Sequence, residues 1–405
     1  MGLDLESIYV DLHRHPELSF QETRTAGVIA EKLAELGIEF EEGIGKTGIA
    51  AVLRGASDGP TVWLRADMDA LPVPEQTGLE YASTARGVDP AGTDVPVMHA
   101  CGHDMHVTCL LGALEQLVAT RNDWNGTVVA VFQPAEEYGA GSRAMLDDGV
   151  LDRFPKPDVV LGQHVTPLPA GVFGVRSGTQ MAASDGLTVT LFGRGGHGSR
   201  PHSTIDPVVM AAATVMRLQT IVSREIDPRD VAVVTVGSIH AGLKNNIIPA
   251  EAKLELSLRY PDDEARQRVL QKVERIVNAE AAASGAEESP RIVTDHTLPP
   301  TINDEDATAR VVATLERTFG EGSVIDPGMF TGSEDVSWFA RDAGVPLVFW
   351  FWGGVDPAAY AAAAAAGTLE HDIPTNHSPF FAPVIHPTLE RGVDALVATA
   401  REFLA

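Results

Sequence analysis

The sequence predicts an α/β protein: a larger domain built on a mixed, mostly parallel sheet flanked by helices, interrupted by a smaller α+β domain. Three observations lead there. At 405 residues the chain exceeds what one hydrophobic core usually organises. Short apolar runs alternate with helical periodicity toward both ends of the chain. Between them the strands instead alternate apolar and polar residues, as a sheet with one wet face does.

Taken in order, Ala26, Ile29, Ala30, Leu33 and Leu36 share one helical face and predict a helix over 18–36, closed by Gly37. Strands are predicted over 49–53 and 61–66, a helix over 104–118, then strands over 127–132, 158–162 and 345–352. Strands separated by helices imply an at least partly parallel sheet. In the middle, strands over 186–192, 231–239 and 251–260 and helices over 207–223 and 262–283 give a β-α-β-β-α order. That order predicts an inserted, ferredoxin-like domain. The expected boundaries are 1–181 and 294–405 for the larger domain and 182–293 for the inserted one. The alanine run 358–366 reads as a surface helix or loop.

Composition excludes several functions. A formal charge of −26 argues against nucleic acid, whose phosphates need basic patches. No apolar run approaches the ~20 residues of a membrane span. The first residues lack the basic-then-apolar layout of a secretion signal, so a cytoplasmic location is expected. Cys101 and Cys109 sit on one helical stretch, too far apart to bridge easily.

The metal-capable residues fall at strand ends. The 61–66 run leads into Asp67 and Asp69, and the 127–132 run into Glu136 and Glu137. The 158–162 run is followed by His164, and the 345–352 run leads, after a loop, to His377. In parallel α/β sheets the site lies beyond the carboxyl ends of the strands, so four segments deliver Asp, Glu or His to one rim. A fifth, Cys101-Gly102-His103, precedes a helix; thiolate and imidazole suit Zn, Ni, Co or Mn rather than Ca or Mg. Of the two adjacent glutamates, one can bind an ion while the other accepts a proton from water; the pattern leaves open which does which. A thiol hydrolase built on Cys101 and His103, and a metal carrier without turnover, are the competing readings.

Arg65 to Pro72, Met98 to His106, Phe132 to Glu137 and His377-Ser378-Pro379 resemble the M20 metallopeptidases. More narrowly they resemble the amidohydrolase branch of hippurate hydrolases, N-acyl-amino-acid hydrolases and auxin-conjugate hydrolases. The resemblance runs from His15-Pro16-Glu17-Leu18 to the C-terminus. It implies two divalent ions (Zn, Mn, Co or Ni) held by Cys101, His103, Glu137, His164 and His377. Glu136 is then the general base, and Asp69 the aspartate that orients the site. Asp67 stands where other branches carry a ligating histidine. In the inserted domain Gly195-Gly196-His197 and Asn246-Ile247-Ile248-Pro249 resemble lid motifs. They imply that His197 polarises the scissile carbonyl and that Asn246, with Arg259, receives the substrate carboxylate. The implied substrate is a small N-acyl amino acid, an acetyl, benzoyl or indoleacetyl conjugate, and the implied assembly a homodimer. A dipeptidase or carboxypeptidase is the alternative within the family.

Overall fold

The computed structural model describes residues 2–404 and divides into two compact units. The larger comprises the chain up to Gln180, Ile302–Gly328 and the chain from Asp335 onward; the smaller comprises Met181–Thr301 and Met329–Glu334.

The larger unit is built on an eight-stranded mixed sheet. Its order is Glu39–Ile44, Gly48–Arg54, Thr127–Gln133, Thr61–Asp67, Val159–Pro169, Leu347–Val355, Phe173–Gly174 and Val324–Ile325. The four strands from Thr127–Gln133 to Leu347–Val355 run parallel. They are apolar nearly throughout because helices shield the sheet, as parallel strands require. The helix His103–Ala119 packs against the sheet and against the helices Leu5–Arg14 and Ile385–Phe403. This changes one expectation. Instead of one buried face the helix is buried on nearly all sides, since it has neighbours on both flanks.

Most predicted elements appear within a few residues of their expected bounds. The helix expected over 18–36 begins only at Thr23, because Phe20 has φ 62°, outside the helical region, and Leu18 bridges instead to Ala70. The strand expected to stop at Gly162 continues to Pro169, so His164 lies within a strand rather than after one. Ser333-Glu334-Asp335 reads from sequence as a helix start, with capping its plainest role and contact with the pocket the alternative. The helix Ser337–Ala343 in fact starts without a side-chain cap, and the Asp335 carboxylate points into the larger unit's core. The alanine run is a helix, Pro357–Ala366, started by Asp356, whose carboxylate accepts from the Ala358 and Ala359 amides.

The smaller unit has a four-stranded antiparallel sheet in the order Val233–Ala241, Glu251–Tyr260, Ala183–Phe192, Arg291–Leu298. Two helices, Pro207–Thr220 and Asp263–Ala283, cover one face through Met210, Leu218, Val269, Val273 and Ile276. Sequence patterning missed the last strand, most of whose residues face solvent and carry no apolar alternation. With it the order is β-α-β-β-α-β, the ferredoxin-like layout.

Candidate metal centre

In the larger unit the parallel strands carry their polar residues to one rim. Asp67 ends its strand, Glu136 and Glu137 follow the Thr127–Gln133 strand, and His164 lies beside Phe351 in the Val159–Pro169 strand. Cys101 and His103 arrive through a tight bend. Gly102 has φ 82°, and a β-carbon there would stand 2.4 Å from Val165 Cγ1, so only glycine fits. His377 is brought in by a loop; its amide donates to Ala100 O at 2.8 Å. Asn376 beside it donates to Cys101 O at 3.2 Å and Val165 O at 3.1 Å, tying three segments together.

These side chains converge. One donor atom from each of Cys101, His103 and Glu137 lies within 4.8 Å of the others. Cys101 Sγ is 3.4 Å from His164 Nε2, and His377 Nε2 is 3.4 Å from Glu137 Oε2. His103 and His164 are buried, whereas His377 is more than half exposed.

The ring nitrogens show which atoms are available. His164 Nδ1 donates to Val165 O at 2.8 Å, and His103 Nδ1 lies 3.3 Å from Asp69 Oδ1. In each ring Nε2 is therefore turned to the centre, the arrangement by which outer carboxylates and carbonyls orient ligating histidines. Both ring nitrogens of His103 and Glu137 Oε1 are buried without a well-directed hydrogen bond. Such orphans are costly unless something else satisfies them, and a cation would. The donor set fits a borderline-soft divalent metal.

Electrostatics point the same way. Burial, reinforced by Glu137 and Glu136, holds the Cys101 thiol well above its ordinary range. Burial and His106 hold His164 well below the ordinary histidine value. Burial pushes Glu137 up to about 7 against the pull of His103. Burial would lower His103 too, but Asp67, Asp69 and Glu137 outweigh it and raise it to about 10.

Sequence reasoning missed several contributors. From sequence His106 reads at most as a residue lining the pocket, with no ligand role; in the structure its Nδ1 is paired with Asp67 and its Nε2 accepts from the Val165 amide at 2.9 Å. Both nitrogens are committed, so His106 braces the centre rather than offering a ligand. Asp67 also accepts from Arg65 Nη1 at 2.7 Å. Arg65 in turn donates to Asp335 and Gln133, forming a buried network under the centre. Asp335 also accepts from Gln133 Nε2 and the Ser142 amide. His13, for which the sequence pattern offers no functional role, is buried between Asp104 and Glu75, at 2.6 and 3.1 Å. No local sequence signal could have found these pairs.

Asp69 is buried beside the two glutamates. Its carboxylate accepts from the Glu136 and Glu137 amides, at 3.1 Å each, and from Ser19 Oγ at 2.6 Å. In the smaller unit, the strand Gly196–His197 pairs antiparallel with Ile247–Ile248. The Gly198 amide donates to Asn246 O at 2.8 Å, so the two motif segments lie side by side. His197 and Asn246 are exposed. Arg259 is partly buried and donates to Ser333 Oγ at 2.7 Å. His202 is exposed on a short turn.

Residues 63–400 match Peptidase family M20/M25/M40. The chain belongs to this family. Among curated relatives, thermostable carboxypeptidase 1 of Saccharolobus solfataricus is 38% identical over 346 residues, covering 84% of each chain. The hippurate hydrolase of Campylobacter jejuni is 38% identical over 340 residues, covering 84% of this chain and 85% of its own. Among solved M20 structures, the Bacillus subtilis YXEP protein, described as a dinuclear metal binding peptidase, superposes with a TM-score of 0.77. It is 31% identical, with 98% of both chains covered.

Proposed function

We propose that this M20 chain is a metal-dependent amidohydrolase that cleaves N-acyl amino acids to a carboxylic acid and a free amino acid. The observation that carries the reading is a converging Cys-His-Glu-His-His set with a second glutamate, Glu136, beside it. Cys101, His103, Glu137, His164 and His377 would hold two divalent ions (Zn, Mn, Co or Ni). When bound, such ions supply Lewis acidity and bring the pKa of water toward neutrality. Asp69 orients His103 and fixes the peptide amides of both glutamates. Glu136 takes a proton from the water that attacks the acyl carbon, then delivers it to the departing nitrogen. Motif resemblance assigns His197 to the scissile carbonyl, and Asn246 with Arg259 to the substrate carboxylate. The smaller unit acts as lid and dimerisation element in this reading. Its support is the open edge of the Val233–Ala241 strand and the exposed Val209 and Met216 on the neighbouring helix.

Hippurate is the benzoyl conjugate of glycine, so the hippurate hydrolase relative supports an N-acyl substrate. A carboxypeptidase is the second reading, favoured by the similarity to thermostable carboxypeptidase 1. The thiol hydrolase is disfavoured because burial keeps Cys101 protonated without a cation, and the imidazole that its sulfur contacts at 3.4 Å is that of His164. No helix among the described residues is long and apolar enough to cross a membrane. Both thiols are free, which fits the cytoplasmic residence proposed here.

The test is release of free amino acid from acetyl, benzoyl and indoleacetyl conjugates beside dipeptides and longer peptides, with bound metal measured before and after chelation. Chelator-sensitive turnover of acyl conjugates supports the proposal. Turnover of peptides alone favours the carboxypeptidase, and turnover indifferent to chelation removes the metal mechanism.

A further inference from the structure

The turn that carries Glu136 and Glu137 is held by a residue far away in sequence. Glu22 is fully buried. Its Oε1 accepts from the Ala135 amide at 2.9 Å and from the Phe20 amide at 2.9 Å. Its Oε2 accepts from Thr47 Oγ1 at 2.6 Å. Both backbone donors belong to strained residues: Ala135 has φ 48° and Phe20 φ 62°, a region that residues with side chains seldom occupy. Such conformations persist where the surroundings over-determine them, and they cluster at functional sites.

At Ala135 the strain has a geometric consequence. The amides of Ala135, Glu136 and Glu137 are consecutive, and each is received by a buried carboxylate, the first by Glu22 and the next two by Asp69. Successive amides that converge in this way form a concave anion-binding nest. Here two side chains of the protein fill it. Asp69 alone leaves the left-handed residue at the head of the turn without an acceptor, and that residue sets the direction in which the two glutamates depart from their strand.

We propose that Glu22 is a positioning residue for the metal centre: by receiving the Ala135 amide it holds the left-handed turn that aims Glu136 and Glu137. The proposal rests on the roles given above to those two glutamates. Glu22 touches neither substrate nor metal and acts through the backbone it binds.

Three variants test it. Glu22→Ala removes the acceptor. Glu22→Gln keeps the oxygen that receives both amides and turns an amide donor toward the Thr47 hydroxyl, which can accept. Thr47→Val removes only the outer bond. The first readout is independent of activity: hydrogen exchange of the peptide containing Ala135 to Glu137, with Zn affinity measured by titration of the chelator-stripped protein. In Glu22→Ala the turn is expected to exchange about tenfold faster, and Zn affinity to weaken about 10–100-fold. Glu22→Gln should restore both toward wild type. If the wild-type protein turns over an acyl conjugate, Glu22→Ala should lower kcat with KM moved less than about threefold. A folded Glu22→Ala protein with a protected turn and unchanged Zn affinity would overturn the proposal, as would Glu22→Gln behaving like Glu22→Ala. Should Glu22→Ala not fold, Thr47→Val carries the test, with a smaller shift in the same direction expected and no shift counting against it. Exchange and Zn titration decide the matter even if no acyl conjugate is cleaved, so a failed substrate assignment and a failed role for Glu22 remain distinguishable.

Discussion

His103 and His164 of the larger unit and His197 of the smaller one occupy opposite environments. His103 and His164 in the larger unit are buried, each with Nδ1 facing an oxygen and Nε2 turned inward. His197 in the smaller unit is exposed, and its ring is engaged by the amide and hydroxyl of Ser199, a near neighbour in the chain. Burial with a fixed ring orientation is the preorganisation a ligand needs, since a metal cannot pay to reorient its donors. An exposed histidine on a short strand carries no such constraint and is suited to a group that engages substrate on binding.

That contrast can be broken experimentally. The largest expected effect is chelation: turnover should vanish and return with Zn, Mn, Co or Ni, and Tm should fall as the buried donors lose their cation. A ligand present at 100 times its Kd contributes about 2.7 kcal/mol. His103→Ala should behave like permanent chelation, with little bound metal by elemental analysis. Next comes Glu136→Gln, expected to lower kcat by about 10²–10⁴ while metal content stays at the wild-type level. His197→Ala should cost about 10²–10³ in kcat with metal content and Tm unchanged. A loss of metal in that variant would erase the distinction between the two kinds of histidine.

The smallest expected effect concerns the support beneath the centre. Burial alone would lower the pKa of His13, but Asp104 and Glu75 outweigh it and raise it to about 9. A raised histidine binds its proton more tightly folded than unfolded. Its stabilisation is therefore complete below the unfolded value near 6.5 and is lost as pH climbs through about 9. In the metal-free protein, Tm should decline across that window by the equivalent of roughly 2–3 kcal/mol. His13→Gln should flatten the decline; an identical pH profile in the variant would show that the buried pairing contributes nothing to the slope.

Much of this protein was legible in the sequence for identifiable reasons. The strands of the larger unit announce themselves because both faces are covered and the runs are continuously apolar. Asp67, Asp69, Cys101, His103, His164, His377 and the Glu136-Glu137 pair stand out as candidates because strand ends and glycine bends are where a parallel sheet displays its chemistry, while the choice between the two glutamates came from the family resemblance. The exceptions are equally physical. Strand Arg291–Leu298 lacks an apolar face, and helix His103–Ala119 is enclosed on sides that periodicity alone left exposed. Ser333-Glu334-Asp335 resembled a cap because a cap is the local use of such residues, but Asp335 answers to distant partners.

The sequence by itself determined the kinds of donor present and the strand ends that bear them, because those depend on local pattern and on the direction of parallel strands. Only the tertiary structure decided the partners. Asp67 meets His106 across 39 residues, His13 meets Asp104 across 91, Glu22 meets the Ala135 amide across 113, and Arg65 meets Asp335 across 270. Strand order sets which of these side chains become neighbours. Burial then decides what each can do, since a carboxylate or imidazole removed from water must be hydrogen-bonded, paired or bound to a cation.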